Sequence, residues 1–192
     1  MDTLSGSLVR LRPLKDEDLE YFASLKNDMR TQAAGHRLPP RVSPANLRER
    51  FSKTLSNPLK GLWSIETKSG ELVGTVDYDE YAPRLAATLG IMTGWEHWGK
   101  GYGKEALELV IEFLFEERGL QVLSLWTTSW NVRMVGLAKK LGFKIAIRER
   151  ESRWLGGNIY DGVFMDMLRE EYFDSRGKED KLRSVPDGRA SP

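Results

Sequence analysis

The stretch from Leu89 to Phe115, "LGIMTGWEHWGKGYGKEALELVIEFLF", constrains the fold more than any other part of the chain. It opens on an apolar run of strand character and passes three alternating glycines, Gly99, Gly101 and Gly103. An amphipathic helix follows, with Leu107, Val110, Ile111 and Leu114 on one face, Glu108, Glu112 and Glu116 on another, and Gly119 as its stop. A strand that enters a helix through glycines argues for an α/β architecture. It also places successive backbone N–H groups at a helix start, where a phosphate is the usual guest.

The flanking segments complete such a domain. "SLVRLRPL" alternates as a half-buried strand, and "KDEDLEYFASLKN" is a helix with Leu19, Phe22 and Ala23 turned inward. Residues 30–42 are expected to be irregular, after which Ser43-Pro44 starts a helix carrying Leu47, Phe51 and Leu55. "GLWSIETKSGELVGTVDYDE" forms a hairpin turning at Lys68-Ser69-Gly70. "LQVLSLWTTSW" is a strand, "NVRMVGLAKKLGF" a helix closed by Gly142, and "KIAIRERESRWLGGNIYDGVFMDML" a last hairpin turning at Gly156-Gly157. This order gives a mixed sheet within one domain, 1–173, followed by a charged tail, 174–192, without periodic apolar residues and expected to be disordered.

Composition closes several functional routes. Cysteine is absent, which excludes disulfides, thiolate metal sites and cysteine nucleophiles. With His36 and His97 as the chain's histidines, no metal is expected. A formal net charge of +1 offers no broad basic surface, so neither nucleic acid nor a membrane is an expected partner. "MDTLSGSLVRLRPL" carries no signal-like apolar run, and a cytoplasmic location is the expectation.

Four readings compete for the glycines. A Walker loop fails, because Trp98 and Glu105 occupy positions that need Gly and Ser/Thr. A dinucleotide fingerprint fits Gly101-x-Gly103-x-x-Ala106, but residues 93–100 separate the strand from the turn, and the next strand ends in Trp126-Thr127-Thr128 without a carboxylate. A coenzyme A pyrophosphate loop needs only converging N–H groups, the helix dipole and a charge from Lys100 or Lys104. An empty tight turn is the plain alternative, against which stands the backbone entropy of three glycines.

These residues resemble the GNAT superfamily of N-acetyltransferases. "WGKGYGKEA" is similar to the family's Q/R-x-x-G-x-G/A loop, and "NVRMVGLAKKLGF" to its second signature, an Asn opening a helix that ends in Gly-Phe. "LVRLRPLKDEDLE", "EHWGKGYGKEA" and "NIYDGVFMDMLREEYF" look most like the RimJ/RimL branch. The resemblance implies a mixed, mostly antiparallel twisted sheet flanked by helices, and direct acetyl transfer from acetyl-CoA to an amine acceptor through a ternary complex. That acceptor would be a protein or peptide N-terminus, a polyamine or another small amine, and the protein a monomer or homodimer.

By the same resemblance, Ile91, Met92 and Thr93 pair with the pantetheine amides. Trp98, Gly99, Lys100, Gly101, Tyr102, Gly103 and Lys104 surround the pyrophosphate, and Asn131 lies near the thiol. Candidate bases are Asp77, Asp79 and Glu66, and Tyr160 is a further catalytic candidate; Tyr160 and Asp161 resemble a pair that lines the acceptor pocket, joined by Arg30, His36 and Arg37. Two positions depart from the pattern: Trp98 replaces the loop's Q/R, and Ala138 stands where the family often has a tyrosine acid. Ala138 and the several candidates for the base leave a non-catalytic acyl-CoA-binding regulatory module as the alternative.

Overall fold

The computed structural model describes residues 2–34 and 41–177. In chain order the elements are β1 (Leu4–Ser5), β2 (Val9–Pro13), α1 (Asp18–Asn27), α2 (Met29–Ala34), α3 (Pro44–Leu55), β3 (Lys60–Thr67), β4 (Leu72–Ala82) and β5 (Ala86–Thr93). Then come α4 (Tyr102–Glu112), β6 (Val122–Thr128), α5 (Val132–Leu141), β7 (Lys144–Leu155), β8 (Asn158–Leu168) and α6 (Arg169–Arg176). The strands form an eight-stranded sheet in the order β1-β2-β3-β4-β5-β6-β8-β7. Among the described residues every adjacent pair is antiparallel except β5 and β6.

Helices cover both faces. On one, α4 lays Ala106, Leu107, Val110 and Ile111 against Val9, Leu11, Ile65, Val76 and Leu89. On the other, Leu19, Phe22 and Leu25 of α1 meet Leu47 of α3 over Leu72 and Met92. Alternation along each strand produces this split, since successive side chains leave opposite faces.

Local chemistry sets the element ends. Ser43 accepts from the Asn46 N–H while Asn46 returns the bond to the Ser43 N–H, so α3 begins in a capping box with Pro44 in its first turn. α4 runs on as a π-helical turn through Phe113–Glu117, and the buried Arg169 donates to the carbonyls of Phe115 and Leu120. A guanidinium at a helix C-terminus satisfies carbonyls that have no partner within the helix. The turn between β7 and β8 has positive φ at both Gly156 and Gly157, as a two-residue hairpin loop of this twist requires.

Three elements differ from the sequence expectation. β1 is too short to show a period, and it is held by pairing with β2 and by Trp63 Nε1 donating to Asp2 O at 3.0 Å. α2 occupies part of the segment expected to be irregular; Asp28 starts it by accepting the Thr31 N–H at 2.8 Å. α6 carries Asp174, Ser175 and Arg176 into a helix beyond the boundary expected at residue 173. His36, Arg37 and the tail from residue 178 onward lie outside the described residues.

Glu66 is not available as a base. Its carboxylate bonds Arg10 and Arg12, and Arg12 also reaches Asp18 at 2.8 Å. The hydrogen bond from Arg12 holds the Glu66 carboxyl below its ordinary range against the effect of burial. A carboxylate stabilised in its ionised form between guanidiniums is a poor proton acceptor.

Candidate active site

β5 and β6 pair from Ala86–Val122 to Leu89–Leu125 and then stop, although β5 continues to Thr93 and β6 to Thr128. Each strand follows its other neighbour: β5 keeps register with β4 out to Gly74–Thr93, and β6 with β8 out to Thr128–Gly162. The sheet therefore opens into a V, with one edge of residues 90–93 free of any strand partner. Ile91, Met92 and Thr93 lie on this open arm.

Asp77 stands at the apex. It faces Gly90 in the β4–β5 register, one residue beyond the last pairing of β5 with β6. A Cβ at position 90 would come within 2.8 Å of both Asp77 carboxylate oxygens, so the bare glycine makes room for this acid. Asp79 sits two residues back, opposite Thr88 on the closed part of the sheet, and is ion-paired with Lys60.

The glycine turn follows the open arm. A single 3-10 turn, Trp95–His97, leads to Gly99 and Gly101, whose φ values of 77° and 88° lie in the left-handed region. Gly101 is the N-cap of α4 and offers no side-chain cap, leaving the first N–H groups of the helix unpaired by side chains. Gly103 differs, because a Cβ there would only touch the Ile91 and Thr93 side chains at 3.5 and 3.9 Å. Packing within the chain does not demand a glycine at that position.

Side chains fix the turn from both ends. Trp98 donates its indole N–H to Thr93 O at 3.2 Å, tying the loop to the open arm. Glu105, in the first turn of α4, accepts the N–H groups of Ser7, Leu8 and Val9 at 2.7–2.8 Å. Burial alone pushes the Glu105 carboxyl up, and these bonds together with that from Ser7 Oγ outweigh it, leaving the group below the ordinary carboxylate range. Sequence reasoning missed this anchor, since its partners are backbone groups almost a hundred positions away. Of the two loop lysines, Lys104 is paired with Glu108 at 2.7 Å, and Lys100 has no ion pair among the described residues.

The remaining candidates separate. Asn131 caps α5 by accepting the Met134 N–H at 3.1 Å through its Oδ1. Tyr160 and Asp161 are neighbours on β8 and leave opposite faces, so they form no mutual pair. Tyr160 packs on Trp130 at 5.4 Å between ring centroids. Asp161 accepts from Arg148 and from the Glu151 N–H, each at 2.9 Å, and the bond from Glu151 N–H is the first cause holding its carboxyl below the usual range. Its carboxylate shapes the β7 irregularity where Glu151 takes φ 52°. Arg30 lies at the glycine turn, its guanidinium carbon 3.8 Å from the Trp95 ring centroid and beside Trp98 and Gly99.

A model of the acetyltransferase (GNAT) domain matches residues 9–144, most of the described chain and the whole of this V and loop. The chain belongs to the GNAT acetyltransferase family. Its relatives include the SPbeta prophage-derived uncharacterized N-acetyltransferase YokL of Bacillus subtilis (strain 168), 26% identical over 88% of this chain and 94% of that protein. They also include the spermidine N(1)-acetyltransferase of Escherichia coli (strain K12), 24% identical over 88% of this chain and 90% of that protein. A similar fold is seen in spermidine N-acetyltransferase from Vibrio cholerae in complex with CoA and spermine, with TM-score 0.78 and 24% identity over 88% of this chain and 99% of the other.

As a GNAT acetyltransferase, the protein is an acetyl-CoA-dependent enzyme rather than a bare binding module. Among the described residues no group of three or more His, Asp or Glu side chains gathers where it could hold a metal ion, and no helix is long and apolar enough to cross a membrane. Ala138, on the inner face of α5, is fully buried in the core, so the GNAT tyrosine acid has no counterpart at that position.

Proposed function

We propose that this enzyme moves acetyl from acetyl-CoA directly to a primary amine of a small polycation, with a polyamine as the favoured class. The observation that carries the reading is the V between β5 and β6, with Asp77 at its apex and the glycine turn on its open arm. Residues 91–93 offer backbone groups to a pantetheine arm, and the turn from Trp98 to Lys104 offers N–H groups to its pyrophosphate. At Gly103 the missing Cβ keeps this approach open. Within the family, the similarity of the C-terminal segment "NIYDGVFMDMLREEYF" favours a RimJ/RimL-like assignment.

The acceptor side supports a cation. Asp77 and Asp79 leave β4 on the face covered by α1, the face on which Ser64 of β3 bonds Asp18. Asp166 of β8 shares a transverse row with Asp79, Thr88 and Ser124, and the two hydroxyls of that row meet at 3.1 Å. Three curated relatives named spermidine N(1)-acetyltransferase point to the same chemistry.

Asp77 takes the proton of the bound ammonium, directly or through water, because a protonated amine has no lone pair for attack. The freed amine forms the N–C bond at the thioester carbonyl, and a strand N–H near Met92 holds the developing oxyanion. The C–S bond then breaks, and with a thiol pKa of about 8.5 the sulfur leaves as thiolate and takes its proton from water. Ala138 is compatible with this route, since no protein acid is needed at sulfur.

Thiol release from acetyl-CoA, measured with polyamines, peptides bearing free N-termini and aminoglycosides, tests the reading. Saturable release with polyamines is expected. Release with peptides alone would reassign the acceptor, and none with any amine would overturn the transfer reading.

A further inference from the structure

A cation from another element lies beside Trp98 in the glycine loop. Arg133, in the first turn of α5, lies over the Trp98 indole with its guanidinium carbon 4.5 Å from the ring centroid. Together with Arg30, Trp95 and Gly99, these two residues border a cleft of about 440 Å³ at the glycine turn. The cations around this cleft are not equivalent. Arg30 faces Asp28 at 3.2 Å, whereas Arg133, like Lys100 in the neighbouring turn, has no ion pair among the described residues.

A guanidinium that stacks by its face keeps its N–H donors in the ring plane, free for oxygen acceptors. The aromatic platform also restricts the side chain before any ligand arrives, which lowers the ordering cost of binding. Trp98 is itself fixed, because its indole N–H is bonded to Thr93 O on the open arm. The chain of contacts Thr93, Trp98, Arg133 thus sets a cation at a defined place relative to the β5 edge.

We propose that Arg133 is a phosphate-binding residue of the acetyl-CoA site, replacing the loop side chain that Trp98 cannot provide, with Trp98 as its positioning residue. The proposal rests on the glycine turn being the pyrophosphate site. Both residues leave the domain core undisturbed, since Arg133 is exposed and Trp98 is half-buried.

Calorimetric titration with CoA, 3′-dephospho-CoA and pantetheine separates the possibilities, using wild type, Arg133→Gln and Arg133→Lys, with Lys53→Gln on the remote α3 as a charge control. Arg133→Gln is expected to weaken CoA about tenfold, with Arg133→Lys recovering part of the loss, because charge alone does not restore the planar donor fork. Pantetheine affinity should not change. A loss that persists with 3′-dephospho-CoA upholds the proposal at the pyrophosphate, and a loss that vanishes upholds it at the 3′-phosphate. CoA binding by Arg133→Gln within about twofold of wild type, or an equal loss with pantetheine, overturns it. Failure of wild type to bind CoA would instead strike the loop reading on which the proposal stands.

Discussion

The turn before α4 and the turn between β7 and β8 both rest on left-handed glycines, Gly99 and Gly101 in one, Gly156 and Gly157 in the other. Their surroundings are opposite. Beside the first, β5 has lost its parallel partner and α4 begins without a side-chain cap, so backbone donors remain open. Beside the second, Leu155 and Asn158 pair directly, and the strands stay paired, with irregularities at residues 145–147 and 149–153, down to Lys144–Asp166. A glycine turn can receive a ligand where the neighbouring backbone is left unpaired; where the strands pair beside it, the same residues only reverse the chain.

Substitutions at the two turns should separate most sharply. Gly101→Val places a branched side chain at φ 88°, with its Cβ 3.2 Å from Leu8, and should weaken acetyl-CoA binding by more than about a hundredfold in a direct titration. Asp77→Asn comes next: general-base loss typically costs about a hundredfold or more, so kcat should fall by that order with acetyl-CoA affinity retained. Asp79→Asn, on the closed part of the sheet, should stay within about threefold in the same assay.

Glu105→Gln tests the anchoring of the donor turn. Removing a carboxylate that accepts three backbone N–H groups should cost about 1–3 kcal/mol, read as a lower melting temperature at neutral pH. Because the folded pKa lies below the unfolded value of 4.5, this contribution is complete above that pH and is lost as pH falls through the folded value. The melting difference between wild type and variant should therefore shrink in acid. At the hairpin the effect is smallest. Gly156→Ala, at φ 57°, should cost about 1 kcal/mol of stability and leave both kcat and acetyl-CoA affinity unchanged.

The same contrast explains what was legible in the sequence. The strand, glycine turn and helix around residues 89–115 are contiguous, so periodicity and glycine spacing gave their order directly. The hairpins at Gly70 and Gly156-Gly157 and the cap at Ser43 were likewise local. Features assembled from distant segments were not. Glu105 reads as a solvated helix charge until β2 is laid beside it, and Arg133 shows no link to Trp98 until α5 packs near the loop. The partners of other candidates were equally hidden: Asp161 bonds the Glu151 N–H of β7, Glu66 bonds two arginines, and Arg30 stacks on Trp95.

Amide hydrogen exchange with and without acetyl-CoA tests the central claim most directly. The open arm and the uncapped helix start should gain protection on binding, at residues 91–93 and 98–104, while the hairpin at residues 149–161 stays as it was. Protection that appears in the hairpin and not in the glycine turn would contradict the placement of the donor site in the V between β5 and β6.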